Sequence, residues 1–171
     1  MKAWILRLGH RRGRDPRLTT HVALTARALG CEGIILSGEK DESVIQSVEK
    51  IVEKWGGPFE VKYERDWRRV IKNWNGKTVH LTMYGLPIQD KIDEIKKTKN
   101  ILVIVGSEKV PGDVYQLVDF NIAVTNQPHS EVGSLAIFLE KLFKGKELQK
   151  KFKDARIKII PKERGKKIIS L

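Results

Sequence analysis

The stretch Ile101-Leu102-Val103-Ile104-Val105, followed at once by Gly106-Ser107-Glu108-Lys109-Val110-Pro111, decides the fold class. Five apolar residues in a row, with no polar alternation, are what a central parallel strand needs when helices cover both of its faces. The polar, glycine-containing segment then falls at the strand's carboxyl end, where open parallel sheets bind their ligands.

Working outward, the same grammar repeats. Trp4-Ile5-Leu6 and Gly33-Ile34-Ile35-Leu36 are apolar runs that end in polar, glycine-containing loops. Residues 78–82 and 121–124 read as further strands, and Phe59-Glu60-Val61-Lys62-Tyr63 alternates with period two, as an edge strand does. Met83-Tyr84-Gly85-Leu86-Pro87 reads as an apolar turn able to cover a planar ring. Between the strands lie helical stripes. Asp15-Pro16 supplies an N-cap and a first-turn proline for a helix that Gly30 closes. Val44, Ile45, Val48, Ile51, Val52 and Trp55 follow helical spacing up to Gly56-Gly57-Pro58. Trp67, Val70, Ile71 and Trp74 form another stripe, residues 87–97 carry a third, and Ser130 caps a fourth bearing Leu135, Phe138, Leu139 and Leu142. Such stripes, tryptophans included, read as core. The predicted class is α/β, a mostly parallel sheet with flanking helices.

The 171 residues suit one compact domain, taken here as 1–150, with an appendage over 151–171. There, Arg156-Ile157-Lys158-Ile159-Ile160 and Lys166-Lys167-Ile168-Ile169 flank a turn and predict a basic β-hairpin arm. A lone hairpin is marginal in water, so it needs a surface to dock on. No apolar run approaches the roughly 20 residues of a membrane-spanning helix. The start, with Arg7 so early, reads as a strand and not a leader. Cys31 is the single cysteine, so no internal disulfide is expected, and a reducing cytoplasm is the predicted setting. It reads as a packed side chain in a helix-to-strand turn.

The net charge of +12 is concentrated at the two ends. Residues 1–20 hold six basic side chains against Asp15 alone, and residues 141–171 hold twelve against Glu147, Asp154 and Glu163. A near-neutral body with basic ends predicts a polyanionic partner held at defined places. The loop Gly9-His10-Arg11-Arg12-Gly13-Arg14-Asp15-Pro16-Arg17 carries four arginines, whose guanidinium groups suit phosphate oxygens. Arg11, Arg12, Arg14, Arg17, Lys162 and Arg164 are therefore the candidate contacts to a nucleic-acid backbone, which the resemblance described below makes RNA. Neither a P-loop nor a G-x-G-x-x-G fingerprint is present, and His10, His21, His80 and His129 show no metal-ligand spacing.

At these loops the chain resembles a known family. Asp15-Pro16-Arg17 through Gly30 and Gly33-Ile34-Ile35-Leu36 resemble the first motif of the SpoU branch of the SPOUT RNA methyltransferases. Gly106-Ser107-Glu108 within residues 101–110 is similar to the second motif, and Ser130-Glu131-Val132-Gly133-Ser134-Leu135-Ala136 to the third. Leu81-Thr82-Met83-Tyr84-Gly85 and Val124-Thr125-Asn126-Gln127-Pro128-His129-Ser130-Glu131 resemble the archaeal members that act on a T-arm cytidine of tRNA. The resemblance covers residues 1–145 and implies a C-terminal trefoil knot, S-adenosylmethionine as cofactor, homodimers, and metal-free 2′-O-methylation of tRNA. It places the cofactor among Leu81, Met83 and Gly85, then Gly106, Ser107, Glu108, Lys109 and Val110, then Val124, Thr125, Asn126, Gln127, Pro128, His129, Ser130 and Glu131. The chain departs from the SpoU pattern by carrying Leu18 and Leu24 where Asn and the catalytic Arg usually stand, and Val132 for the third-motif Asn. Arg17 therefore becomes the first catalytic candidate, with Arg12, Arg14 and His21 in reserve. Two alternatives remain open from sequence: a non-catalytic RNA-binding protein, and an enzyme acting on a small phosphorylated substrate.

Overall fold

The computed structural model describes residues 1–106 and 109–171. In chain order the elements are β1 (Lys2–His10), α1 (Pro16–Ala28), β2 (Gly33–Gly38), α2 (Glu42–Trp55), β3 (Glu60–Tyr63), α3 (Trp67–Lys72), β4 (Lys77–Pro87) and α4 (Ile88–Ile95). These are followed by β5 (Asn100–Val105), α5 (Val114–Leu117), β6 (Phe120–Ala123), α6 (Glu131–Phe143), a 3-10 turn (Lys146–Gln149), β7 (Ile157–Ile159) and β8 (Ile168–Ser170).

Among the described residues, six strands form one parallel sheet in the order β3-β2-β1-β5-β4-β6. The apolar run 101–105 is thus central, with β1 on one side and β4 on the other. Its residues alternate between two cores. Ile101, Val103 and Val105 join the cluster containing Val22, Val48, Ile92, Leu135 and Phe138, while Leu102 and Ile104 face Ile71 and Val114. Trp4, Trp67 and Trp74 are only partly buried and pack at the margin of the second cluster. Cys31 is buried in the first, and burial pushes its thiol pKa up.

Three expectations need correction. The carboxylate of Asp15 occupies the N-cap position but makes no capping bond; Arg11 takes it instead. The segment 83–87, read as a turn, continues strand β4 beyond a register shift in which both Leu81 and Leu86 face Ile122. That path depends on Gly85, because a Cβ there would lie 2.5 Å from Ile122 N and 2.6 Å from Asn121 O. The short helix α5 and the 3-10 turn, each four residues long, add elements that the hydrophobic pattern does not predict. Ser130, by contrast, caps α6 as expected, accepting from Gly133 N at 3.0 Å.

The tail returns to the body before the hairpin forms. Gly57 and Lys153 exchange backbone hydrogen bonds of 2.8 Å. Buried Arg27, at the end of α1, donates to the Gly56 carbonyl at 2.7 and 3.1 Å, and its guanidinium lies 4.3 Å from the Phe152 ring centroid. Beyond that anchor β7 and β8 pair antiparallel, the hairpin expected from the sequence.

Candidate functional site

Because the sheet is parallel and β1, β5, β4 and β6 are consecutive neighbours, the four candidate loops leave one edge of the sheet side by side. A cleft of about 400 Å³ opens there. Its apolar wall is Leu81, Met83 and Val110; its polar groups include His80, Thr82, Tyr115, His129 and Glu131, with Gly106 at the mouth of the β5 loop. Asn126 ties the β6 loop to the end of β4, its Nδ2 donating to the Met83 and Gly85 carbonyls at 2.7 and 3.0 Å.

The cofactor residues expected from sequence are thus partly assembled. Leu81, Met83, Gly106, Val110, His129 and Glu131 line the cleft. Gly85 lies on a neighbouring cavity behind β4. Ser107 and Glu108 lie outside the described residues. Lys109, Val124, Thr125, Gln127, Pro128 and Ser130 are not among the lining residues, although Ser130 begins the helix that carries Glu131 and Ser134 into it.

Beneath the cleft runs a buried polar chain that sequence reading missed. Arg7 is fully buried; its Nε donates to Thr19 Oγ1 at 3.3 Å and its Nη1 to the Gly106 carbonyl. Thr19 Oγ1 meets His10 Nδ1 at 2.7 Å, and His10 Nε2 meets Asp41 Oδ2 at 2.8 Å. Arg7 Nη2 has no partner among the described residues. Burial lowers the Arg7 pKa, while the facing charges of Glu131 and Asp15 act to raise it. Burial also acts to raise Asp41, but bonds from His10, Ser43 and the Val44 N–H outweigh it and hold that carboxyl below its usual value. The chain links the ends of β1 and β5 with the first turns of α1 and α2. A buried charge is costly unless paired, so an arginine retained here with a spare donor marks the edge of a site.

The arginine loop divides by role. Arg11 is committed to Asp15 through bonds of 2.9 and 3.1 Å, which hold the Asp15 carboxyl below its usual value. Arg12 approaches Glu39 at 3.6 Å on the surface. Arg14 and Arg17 are exposed and their side chains make no hydrogen bond or ion pair among the described residues. His21 is exposed one turn on from Arg17, on the same face of α1. Lys162 and Arg164 sit at the exposed hairpin tip, away from this loop in sequence.

His80 carries no ligand signal in the sequence, yet in the cleft it is buried and held by two neighbours. Its Nδ1 lies 2.9 Å from Asn121 Oδ1, and its ring meets Tyr115 edge-to-face at 4.8 Å. Burial lowers its pKa, the Asn121 bond opposing. The available signal was the alternation of β4, which sends His80 and Thr82 to the face opposite Leu81.

Solved structures place this architecture in a class. The chain is similar to the SpoU methyltransferase AviRb from Streptomyces viridochromogenes in complex with AdoMet, with a TM-score of 0.59 at 14% identity over 83% of this chain and 56% of that one. It is also similar to an A. aeolicus TrmH/SpoU tRNA modifying enzyme, with a TM-score of 0.55 at 13% identity over 85% and 75% of the two chains. These likenesses define the SpoU-type SPOUT fold. Residues 55–169 match the tRNA ribose 2′-O-methyltransferase family aTrm56, and the chain belongs to that family. Its relatives include the tRNA (cytidine(56)-2′-O)-methyltransferase of Methanopyrus kandleri, 57% identical over 96% of this chain and 94% of that protein. The enzyme of the same name from Pyrococcus horikoshii is 55% identical over 98% and 84%.

Proposed function

We propose that this chain transfers the methyl group of S-adenosylmethionine to the 2′-hydroxyl of a T-arm cytidine ribose in tRNA. The observation that carries the reading is the meeting of the β4, β5 and β6 loops at one cleft, on the sheet edge that the arginine loop after β1 also leaves, in a chain more than half identical to enzymes named for that reaction. The non-catalytic alternative is not favoured by those relatives. The cleft suits the cofactor on its own chemistry: apolar walls at Leu81, Met83 and Val110, a carboxylate at Glu131 for a cationic group, and a size fitting one small molecule. Bound there, S-adenosylmethionine supplies an electrophilic methyl on a sulfonium.

The remaining work falls to side chains. Arg17, exposed at the start of α1 and without an ion pair among the described residues, holds the phosphate beside the target ribose and lowers the proton affinity of the 2′-hydroxyl. Arg12, Arg14 and His21 stand near it in sequence as secondary contacts. Holding the hydroxyl oxygen in line with the methyl carbon is the larger part of the task. Lys162 and Arg164 grip the RNA backbone, and an unstacked base is read in place of a duplex groove. Homodimerisation belongs to the same reading, supported by exposed Tyr84, Leu86 and Ile137. So do the trefoil knot around β4 and β6, the division into 1–150 and 151–171, a cytoplasmic setting and metal-free chemistry. No helix among the described residues is long and apolar enough to cross a membrane.

The test is incubation with unmodified tRNA transcript and methyl-labelled S-adenosylmethionine, followed by mapping of the label. A 2′-O-methylcytidine in the T-arm is the expected product. Label at another nucleotide overturns the target, and no label on bound tRNA overturns the enzymatic reading.

A further inference from the structure

His80 sits on the floor of the cleft with one ring nitrogen committed and the other free. Which is which follows from its neighbours. Asn121 Nδ2 donates to the Tyr115 carbonyl at 2.9 Å, which turns Asn121 Oδ1 toward His80. An amide oxygen only accepts, so His80 Nδ1 carries the proton and donates to it. In the neutral ring Nε2 is then a bare lone pair. It has no hydrogen-bond partner among the described residues, and the ring, although buried, lines the cleft. Tyr115 fixes the plane of the ring from its edge, and Tyr115 is itself held by a 3.1 Å contact between its hydroxyl and Thr82 Oγ1. Three elements thus hold one acceptor in one orientation.

A hydrogen bond to Asn121 alone would serve packing equally well with the ring turned away from the cleft. What is built here instead is a rigid acceptor on a ring that lines the cleft beside Thr82 and Tyr115, in a ligand space whose apolar walls are Leu81, Met83 and Val110. Such an acceptor selects for a donor and penalises a ligand that lacks one.

We propose that His80 reads the cofactor: Nε2 accepts a hydrogen bond from an N–H or O–H of the nucleoside part of S-adenosylmethionine, and Asn121 is the positioning residue that fixes the tautomer. This rests on the cofactor reading above. The donor is the exocyclic amine or a ribose hydroxyl.

The test uses the full chain and S-adenosylhomocysteine, which keeps those donors. Long-range 15N NMR of the free protein is expected to show His80 protonated at Nδ1. On addition of ligand the Nε2 resonance is expected to move upfield while Nδ1 keeps its proton. By calorimetry, His80→Phe is expected to weaken binding about tenfold, the loss of one hydrogen bond with its acceptor, and His80→Gln to weaken it less. Ligands with the amine dimethylated, or with the 2′- or 3′-hydroxyl removed, then identify the donor. The relevant analogue loses affinity for the wild type and no more for His80→Phe. A wild type that binds no S-adenosylhomocysteine overturns the cofactor reading and this proposal together. Measurable binding with an unmoved Nε2 resonance, a free protein protonated at Nε2, or equal losses across all analogues in both proteins overturns this proposal alone.

Discussion

Thr19 Oγ1 stands 2.7 Å from His10 Nδ1, and this contact is the middle link between Arg7 beneath the cleft and Asp41 at the start of α2. With a neutral ring the donors run in one direction, from Arg7 Nε to Thr19, from the Thr19 hydroxyl to His10, and from His10 Nε2 to Asp41. A threonine hydroxyl is the group that can accept at one side and donate at the other.

Thr19→Val keeps the shape and removes that hydroxyl, leaving Arg7 Nε and His10 Nδ1 without it. The expected loss is about 1–3 kcal/mol in urea unfolding, with Thr19→Ser retaining most of the stability.

Gly85→Ala puts a methyl group against the backbone of Asn121 and Ile122 at 2.5–2.6 Å. Neither neighbour is a flexible side-chain end, so the β4–β6 pairing must shift, at an expected cost of about 1–3 kcal/mol or more. Cofactor affinity, read by calorimetry, is expected to fall as well, because Asn126 binds the carbonyls of Met83 and Gly85. Gly13→Ala, with nothing within 4 Å of the new carbon, is the control and is expected to stay within about 0.5 kcal/mol of the wild type.

Arg17→Ala is expected to reduce methyl transfer to tRNA by about a hundredfold or more while leaving the Kd for S-adenosylhomocysteine unchanged. The residue is exposed and takes part in no bond that holds the fold among the described residues, so unfolding should not move. A matching loss of cofactor affinity would reassign Arg17 from the RNA to the cofactor.

Replacing Lys162 and Arg164 together with Ala is expected to weaken tRNA binding for all tRNA sequences alike. The slope of log affinity against log salt should become shallower by about two, one for each phosphate that is no longer neutralised. Filter binding across a salt series reads both effects, and an unchanged slope would remove the hairpin tip from the RNA interface.

Burial lowers the His80 pKa from its ordinary value of 6.5. Between the unfolded and the lowered folded value, the unfolded chain binds more protons, so stability rises with pH there. The contribution is therefore complete above pH 6.5, declines as pH drops through that value, and levels off below the folded pKa. Urea unfolding from about pH 7.5 downward should show the decline, and His80→Asn should flatten it.

What the sequence displayed most clearly was the chain's own local chemistry. The unbroken apolar run 101–105 announced a central strand, and Ser130 announced the start of α6. Both depend on residues adjacent in sequence. The extension of β4 did not show, because Met83, Tyr84 and Gly85 look like a turn until the backbone of β6 is laid against Gly85. Asp15 looked like a cap because nothing in sequence says that Arg11, one turn earlier, takes its carboxylate. Arg7 looked like a reason to dismiss a leader peptide. Its burial depends on Thr19 and on Gly106, 99 residues away. The loops' meeting at one edge was legible, and the polar floor beneath them was not.

The anchoring of Phe152 by Arg27 has a consequence for how a large substrate is measured. Arg17 stands in the first turn of α1 and Arg27 in the last, so a single rigid rod of 13 residues, about 20 Å long, separates the loop arginines from the root of the arm. An RNA held by the loop arginines and by the arm that starts from this root must present its contact points at a separation that α1 helps to set. On the proposed RNA contacts, the protein gauges its substrate's folded shape, with α1 as part of the scale.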